Sequence, residues 1–315
     1  MKTVVLSPEE IERAATLLRR GELVAFPTET VYGLGAPISN NEAIAKIFST
    51  KGRPHDNPLI VHISNTDDVA RLAREIPEEF YLLAKRFWPG PLTVVLKRAG
   101  TVPASISAGL DTVAIRMPQH PVARELIEKV GEPLAAPSAN LSGKPSSTSA
   151  QHVLEDFDGK IAAVLDGGSC KGGIESTVVN LAGATPVVLR PGLVTLEEIA
   201  HLIGRKVEVY SKKAGEKPAS PGLLYRHYAP KAKLYLFESK EELLKHLKRS
   251  AAYKRMLLGD KRVLGPRAHL LTQQTLYTLL RKSDQEQQEE ILVFCDPQMQ
   301  KDLALMNRLK LASVN

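Results

Sequence analysis

Between residues 23 and 190 one pattern recurs eight times: a short apolar run that stops at a loop of small, hydroxylated or cationic residues. LVAF (23–26) runs into PTETVYGLGAP, and PLIVHI (58–63) follows KGRPHDN. LTVVL (92–96), TVAIRM (112–117), PLAA (133–136), IAAVLD (161–166), STVVNL (176–181) and PVVLR (186–190) continue the series. Runs this short and β-rich are read as strands. Helical periodicity fills the intervals at 7–20, from Asn40 or Asn41 through Phe48, and at 66–86, 120–130, 149–157 and 195–202. PTETVYGLGAP reads as a loop because of its glycines and hydroxyls. Short β-rich runs mixed with helices predict an α/β or α+β sheet domain of about 200 residues.

Residues 205–230 differ, with many Lys, Gly and Pro and few apolar runs, and are read as a linker. Beyond it, strands at KLYLF, RMLLG and ILVFC alternate with helices at ESKEELLKHLKRS, near 273–283 and at 297–309. That alternation predicts a small βαβ, Rossmann-like domain with a parallel sheet. The expected division is therefore a catalytic domain 1–204, a linker or lid 205–230 and a C-terminal domain 231–315.

No apolar run approaches the ~20 residues that span a bilayer, and MKTVVLSPEE lacks the apolar stretch of a signal peptide. A cytoplasmic, soluble chain is expected. Two cysteines, Cys170 and Cys295, make neither a disulfide framework nor a metal-ligand spacing. The net charge of +7 suggests nucleic acid, but its distribution weakens that reading. Residues 1–200 hold 20 Lys/Arg against 23 Asp/Glu, whereas residues 201–315 hold 22 against 12. The basic excess lies away from the densest motifs.

Those motifs suit an anionic ligand without a Walker loop, since GxxxxGK[ST] does not occur. PTETVYGLG places Thr28, Glu29 and Thr30 in a row, with Gly33 and Gly35 free to admit a ligand or simply to make a turn. Lys51 and Arg53 flank a glycine, so both can reach one anion or lie on a solvated face. Asn57 precedes a proline, and His62 is either a satisfied core histidine or part of a site. His55 reads as exposed loop. Thr112 and Arg116 share a strand face, and a buried Arg116 requires an anionic partner, either a protein carboxylate or a ligand. LAAPSANLSGKPSS, GGIESTVVN and LRPG end strands in hydroxyls, amides, glycines and an arginine. Neither a defensible Ser-His-Asp order nor a nucleophile emerges, so catalysis would rest on positioning and charge stabilisation.

Taken together, PTETVYGLG, the Lys-x-Arg of KGRPHDNPL, the Ser-x-Asn of PSANLSG, and GGIESTVV followed by RPG resemble the YrdC-type threonylcarbamoyl-AMP synthases. SPGLLYRHYAP (220–230) is similar to the linker signature of their long, two-domain form. The resemblance implies an α/β fold, an open, twisted sheet domain around a concave, positively lined cavity, and a nucleotidyltransferase that joins L-threonine, bicarbonate and ATP and releases pyrophosphate, with Mg²⁺ accompanying ATP. This is the first step towards N6-threonylcarbamoyladenosine at position 37 of tRNA. It implies an L-threonine end of Thr30, His62, Arg116, Ala136 and Ser176. It implies ATP contacts from Lys51, Arg53, Asn57, Thr112, Ser138, Asn140, Ser146, Arg190 and Tyr228, with Lys51 and Arg53 catalytic and Tyr228 in a moving lid. A downstream tRNA threonylcarbamoyl-transfer complex would receive the product, and direct tRNA contact is compatible with the resemblance without being required.

Two other readings use the same residues. An RNA-binding module would need Lys51, Arg53 and Arg116 but not Thr30, His62, Ser176 or a lid. A hydrogenase-maturation carbamoyltransferase would add zinc-finger cysteines, which two cysteines cannot supply.

Overall fold

The computed structural model describes residues 2–210 and 227–314. They divide into two compact units, one of residues 2–142 with 147–210, the other of 143–146 with 227–314.

The first unit is built on a 12-stranded mixed sheet. Its strands are β1 (Val4–Leu6), β2 (Val24–Phe26), β3 (Gly33–Pro37), β4 (Ile60–His62), β5 (Ala73–Arg74), β6 (Leu92–Arg98), β7 (Thr112–Arg116), β8 (Leu134–Ala135), β9 (Ala163–Leu165), β10 (Thr177–Asn180), β11 (Val187–Arg190) and β12 (Glu208–Val209). The spatial order is β1-β9-β2-β3-β8-β4-β7-β6-β10-β11-β12, with β5 paired to β6. Consecutive side chains take opposite faces, so Val24 and Phe26 pack with the helices Ile11–Arg19 and Pro121–Val130. Leu23 and Ala25 enter the larger cluster that also buries the helices Asn41–Lys51, Glu78–Phe87, Ala150–Phe157 and Leu196–Ile203.

Several expectations are corrected. GLGAP is not loop but strand β3, antiparallel to β2. A Cβ on Gly35 would lie 2.9 Å from the Phe26 ring and one on Gly33 3.0 Å from it. These glycines therefore admit an aromatic side chain, the role of glycine inside a strand that a neighbour approaches closely. The helix predicted over 66–86 is broken into a 3-10 turn Thr66–Asp68, a helical turn Val69–Leu72, β5 and the helix Glu78–Phe87. Pro77 and the left-handed Glu75 (φ 51°) interrupt it. Residues 208–209 extend the sheet as β12 instead of opening a linker, and most of the predicted linker, 211–226, lies outside the described residues.

The second unit has three parallel strands, β13 (Lys233–Phe237), β14 (Arg255–Leu258) and β15 (Glu290–Phe294), in the order β13-β15-β14. The parallel βαβ expectation is met. The helix predicted over 297–309 is two helices, Pro297–Lys301 and Leu303–Ala312, divided at Asp302. Asp302 caps the second by accepting from the Leu305 N–H at 2.9 Å. A cavity of about 530 Å³ beyond β14 and β15 is lined by Asp260, Asp296 and Asp302 among others. Each of these carboxylates caps a helix start, which accounts for acids at those positions.

No helix among the described residues is long and apolar enough to cross a membrane. The helix Asn41–Lys51 is the element that delivers Lys51. Its start is capped by Asn40, whose Oδ1 accepts from the Ala43 N–H at 2.9 Å. Asn40→Ala is expected to destabilise the protein by about 1 kcal/mol. An unchanged denaturation midpoint would show that the cap is dispensable.

Candidate active site

Arg116 ends β7, a central strand, and is 3% exposed. A cation there has lost its water and needs replacements for it. Its Nε donates to the Gly90 carbonyl at 3.2 Å, Nη1 to the Thr30 hydroxyl at 2.9 Å and Nη2 to the Glu29 carboxylate at 2.6 Å. The question left open by the sequence is thereby answered: the partner is a protein carboxylate. A guanidinium carries five N–H groups. Three are used, so one N–H on each terminal nitrogen has no partner among the described residues. That pair suits the two oxygens of a ligand carboxylate.

Glu29 is held from two sides. Its second carboxylate oxygen accepts from the Gln119 N–H at 3.1 Å, and its own carbonyl accepts from the Gly172 N–H at 2.7 Å. A Cβ on Gly172 would come within 2.9 Å of that carbonyl, so this loop approaches closely because the residue is glycine. Glu29 was legible as one of three polar groups in a row, and a buried arginine requires an anion, but only the fold joins the two.

His62 pairs with Arg116 across β4 and β7. Its ring packs edge-on to Phe26 at 6.0 Å, and Nδ1 lies 3.3 Å from the Ile60 carbonyl. Burial, reinforced by the Arg116 charge, pushes its pKa down to about 3. The imidazole is therefore neutral at physiological pH. Because a carbonyl can only accept, Nδ1 carries the proton and Nε2 is left as an acceptor. The Ala136 N–H donates to the same Ile60 carbonyl at 2.9 Å, placing that backbone beside His62.

Ser176 reaches the cluster from β10's entrance. Its hydroxyl lies 2.7 Å from that of Thr93, and Thr93 precedes Val94, the cross-strand partner of Ile115. Arg190 donates to the Ser176 carbonyl at 3.1 Å and to its hydroxyl at 3.2 Å. The Arg-Pro-Gly turn fits against Ser176 only as glycine, since a Cβ on Gly192 would lie 2.4 Å from the Thr177 nitrogen.

A second group forms around the end of the helix Asn41–Lys51. Lys51 is 2% exposed, and its ammonium donates to the Ser138 carbonyl at 2.6 Å and to the Asn140 carbonyl. Arg53 donates to the Asn57 and Pro58 carbonyls at 3.2 and 2.9 Å. The Asn57 Oδ1 is buried without a partner among the described residues. His55 is exposed and stacks on Phe48 at 4.7 Å, apart from this group.

Thr112 shares a face with Arg116 but sits at the opposite end of β7, about 13 Å away at the usual strand rise. Ser146 and Tyr228 belong to the second unit. There Tyr228 is 6% exposed and packs with Tyr277 at 5.5 Å and Arg308 at 5.8 Å. Both cysteines are free; burial pushes Cys170 up to about 12 and Cys295 up to about 11, so neither is a thiolate nucleophile at neutral pH.

The family described as "Telomere recombination", comprising Sua5, YciO and YrdC, matches residues 16–192, and the threonylcarbamoyl-AMP synthase C-terminal domain matches 194–314. The chain belongs to the two-domain Sua5/YrdC family. The Sua5/YrdC relative named threonylcarbamoyl-AMP synthase from Pyrococcus abyssi is 46% identical, covering 96% of this chain and 94% of its own. That from Bacillus subtilis is 45% identical, covering 96% and 93%. The crystal structure of P. abyssi Sua5 complexed with L-threonine superposes with a TM-score of 0.90 at 42% identity, covering 99% of this chain and 98% of that one.

The His62 assignment carries a pH signature. An unfolded chain binds a proton on this histidine below about 6.5, which the folded protein refuses until about pH 3. Its contribution to stability is complete above pH 6.5 and is lost as pH falls through that window. By NMR the His62 ring resonances are expected not to move between pH 8 and 5. A midpoint near 6.5 would show a solvated imidazole.

Proposed function

We propose that this Sua5/YrdC enzyme is a threonylcarbamoyl-AMP synthase, joining L-threonine, bicarbonate and ATP with release of pyrophosphate. The observation that carries the amino-acid half is Arg116, a buried guanidinium with one unused N–H on each terminal nitrogen, ringed by Thr30, His62 and the Thr93–Ser176 hydroxyl pair. The α-carboxylate of threonine takes those N–H groups. Neutral His62 and the Ala136 backbone flank the same position. The amine attacks the carbon of bicarbonate with loss of water to give a carbamate, whose oxygen attacks the α-phosphorus of ATP and displaces pyrophosphate.

The ATP half is assigned to Lys51, Arg53, Asn57, Ser138, Asn140 and Arg190. Lys51 both carries charge and holds the Ser138–Asn140 loop through its carbonyls, so pyrophosphate leaves past a cation whose position is fixed before the reaction. Thr112 completes the contacts proposed within the first unit. Among the described residues no cluster of three or more acidic, His or Cys side chains could hold a metal by itself. Mg²⁺ bound chiefly through ATP's own phosphates fits this, and the buried, unpartnered Asn57 Oδ1 is the neutral oxygen that could take one coordination position. Bound there, the ion would neutralise charge on the leaving pyrophosphate. No nucleophile of the protein is needed.

The product is a mixed anhydride prone to hydrolysis, so a threonylcarbamoyl-transfer complex acting on tRNA is proposed as its recipient. Cytoplasmic location is proposed on the same basis, from the activity. The RNA-binding reading is not favoured, because it leaves the Thr30, His62 and Ser176 set without a role.

Pyrophosphate release is expected only when L-threonine and bicarbonate are both present; ATP turnover indifferent to threonine would sink the reading. Lys51→Ala and Arg53→Ala should each cost about 2–4 kcal/mol of transition-state stabilisation, read as kcat/KM. Near wild-type rates in either would remove that residue from the phosphate assignment.

A further inference from the structure

Building on the reading of Arg116 as the threonine carboxylate clamp, we propose that Glu29 makes this site select a free α-amino group. It does so by presenting a fixed anionic acceptor beside the clamp.

The argument follows the protons. The Thr28 hydroxyl lies 2.6 Å from the Val31 carbonyl, which can only accept, so the single Thr28 hydroxyl proton goes there. The backbone N–H groups of Thr30 and Val31 donate to that same Thr28 oxygen at 3.1 and 3.2 Å. With that proton committed, Thr30 is the donor in the 2.8 Å contact between the two hydroxyls, and the two lone pairs of the Thr28 oxygen are shared between it and the longer N–H contacts. Arg116 already donates to Thr30, so Thr30 has no proton left and offers a ligand only a lone pair. Neutral His62 likewise offers only the Nε2 lone pair. Glu29 offers carboxylate lone pairs, and with 12% side-chain exposure against 4% for Arg116 it is the more open member of the ion pair.

This end of the site is thus sorted by hydrogen-bond polarity. Its charged donors are the two remaining N–H groups of Arg116, and one proton of the Thr93–Ser176 hydroxyl pair is a neutral donor beside them. Glu29, Thr30 and His62 are acceptors. A zwitterionic amino acid matches that division, with its carboxylate on the donors and its ammonium or amine among the acceptors. A carboxylic acid lacking the amine satisfies Arg116 but leaves buried lone pairs facing a methylene group. Sites built to bond an N–H reject the analogue without it strongly, because their own polar groups go unpaired. Of the three acceptors Glu29 alone is charged, so it carries most of the discrimination. The Gln119 N–H on one oxygen and Arg116 on the other keep it in place before any ligand arrives.

The test compares binding of L-threonine and of (R)-3-hydroxybutanoate, the same molecule without its amine, by calorimetric titration of the full-length protein. The wild type is expected to prefer L-threonine by ~100-fold or more. Glu29→Gln keeps an oxygen that can accept from Arg116 but removes the charge. It should reduce that preference at least ~10-fold and raise the KM for L-threonine, while the KM for ATP stays within ~2-fold. A purely structural Glu29 would weaken both ligands equally and leave their ratio unchanged. Glu29→Asp, which retracts the charge by one methylene, should lower the ratio less than Gln does. An unchanged ratio in whichever of the two variants folds, as judged by thermal melting, overturns the assignment. Arg116→Ala separates the two layers of the argument. If it leaves L-threonine binding intact, the clamp reading itself fails. If it abolishes binding while the Glu29 variants keep the ratio, only the role of Glu29 fails.

Discussion

A guanidinium buried at the end of a central strand is the constraint around which the first unit is arranged. Arg116 cannot be solvated where β7 puts it, so the surrounding chain must solvate it instead. Glu29 and Thr30 do this from the turn between β2 and β3, and Gly90 from the approach to β6. Removing one partner of such a buried pair typically costs about 3–5 kcal/mol, because the other charge is stranded. Two otherwise separate loops are therefore bound to one side chain. The same charge helps keep His62 neutral, which fixes that ring as an acceptor.

Buried cations anchor the candidate site. Arg116 is paired with a carboxylate and keeps a directional remainder, which suits recognition of a small zwitterion. Lys51 and Arg53 donate to backbone carbonyls, which hold the cations in place. Fixed charges of this kind need little reorganisation when negative charge develops on a leaving group. That is consistent with a chain whose thiols are both buried and protonated.

The second unit shows acids used as structure. Asp260, Asp296 and Asp302 line one cavity, yet each caps a helix that begins where a parallel strand or a preceding helix ends. Within the same unit Tyr228 packs with Tyr277 and Arg308, so the tyrosine of the RHYAP motif is ordered by an aromatic and a cationic neighbour. Its left-handed backbone (φ 62°) is uncommon for a side chain of this size and marks a sharp change of chain direction.

Read alone, the sequence determined the run of short strands, the parallel βαβ arrangement at the C-terminal end, and the residue types of the candidate site, because apolar periodicity and clustered hydroxyls and cations are local properties. It misread GLGAP, since glycines that admit the Phe26 ring look the same in sequence as glycines of a turn. It also missed the break at Glu75 and Pro77, where a turn conformation overrides a helical pattern. It could say that Arg116 needs an anion but not which one. Glu29 lies 87 residues away in the chain, and only the pairing of strands brings its carboxylate to 2.6 Å. Thr112 shows the converse: sequence spacing correctly put it on the Arg116 face, while strand length separates it from the cluster. Residue chemistry was thus readable directly, but the direction of each hydrogen bond depends on which groups meet, and that was decided by the tertiary structure.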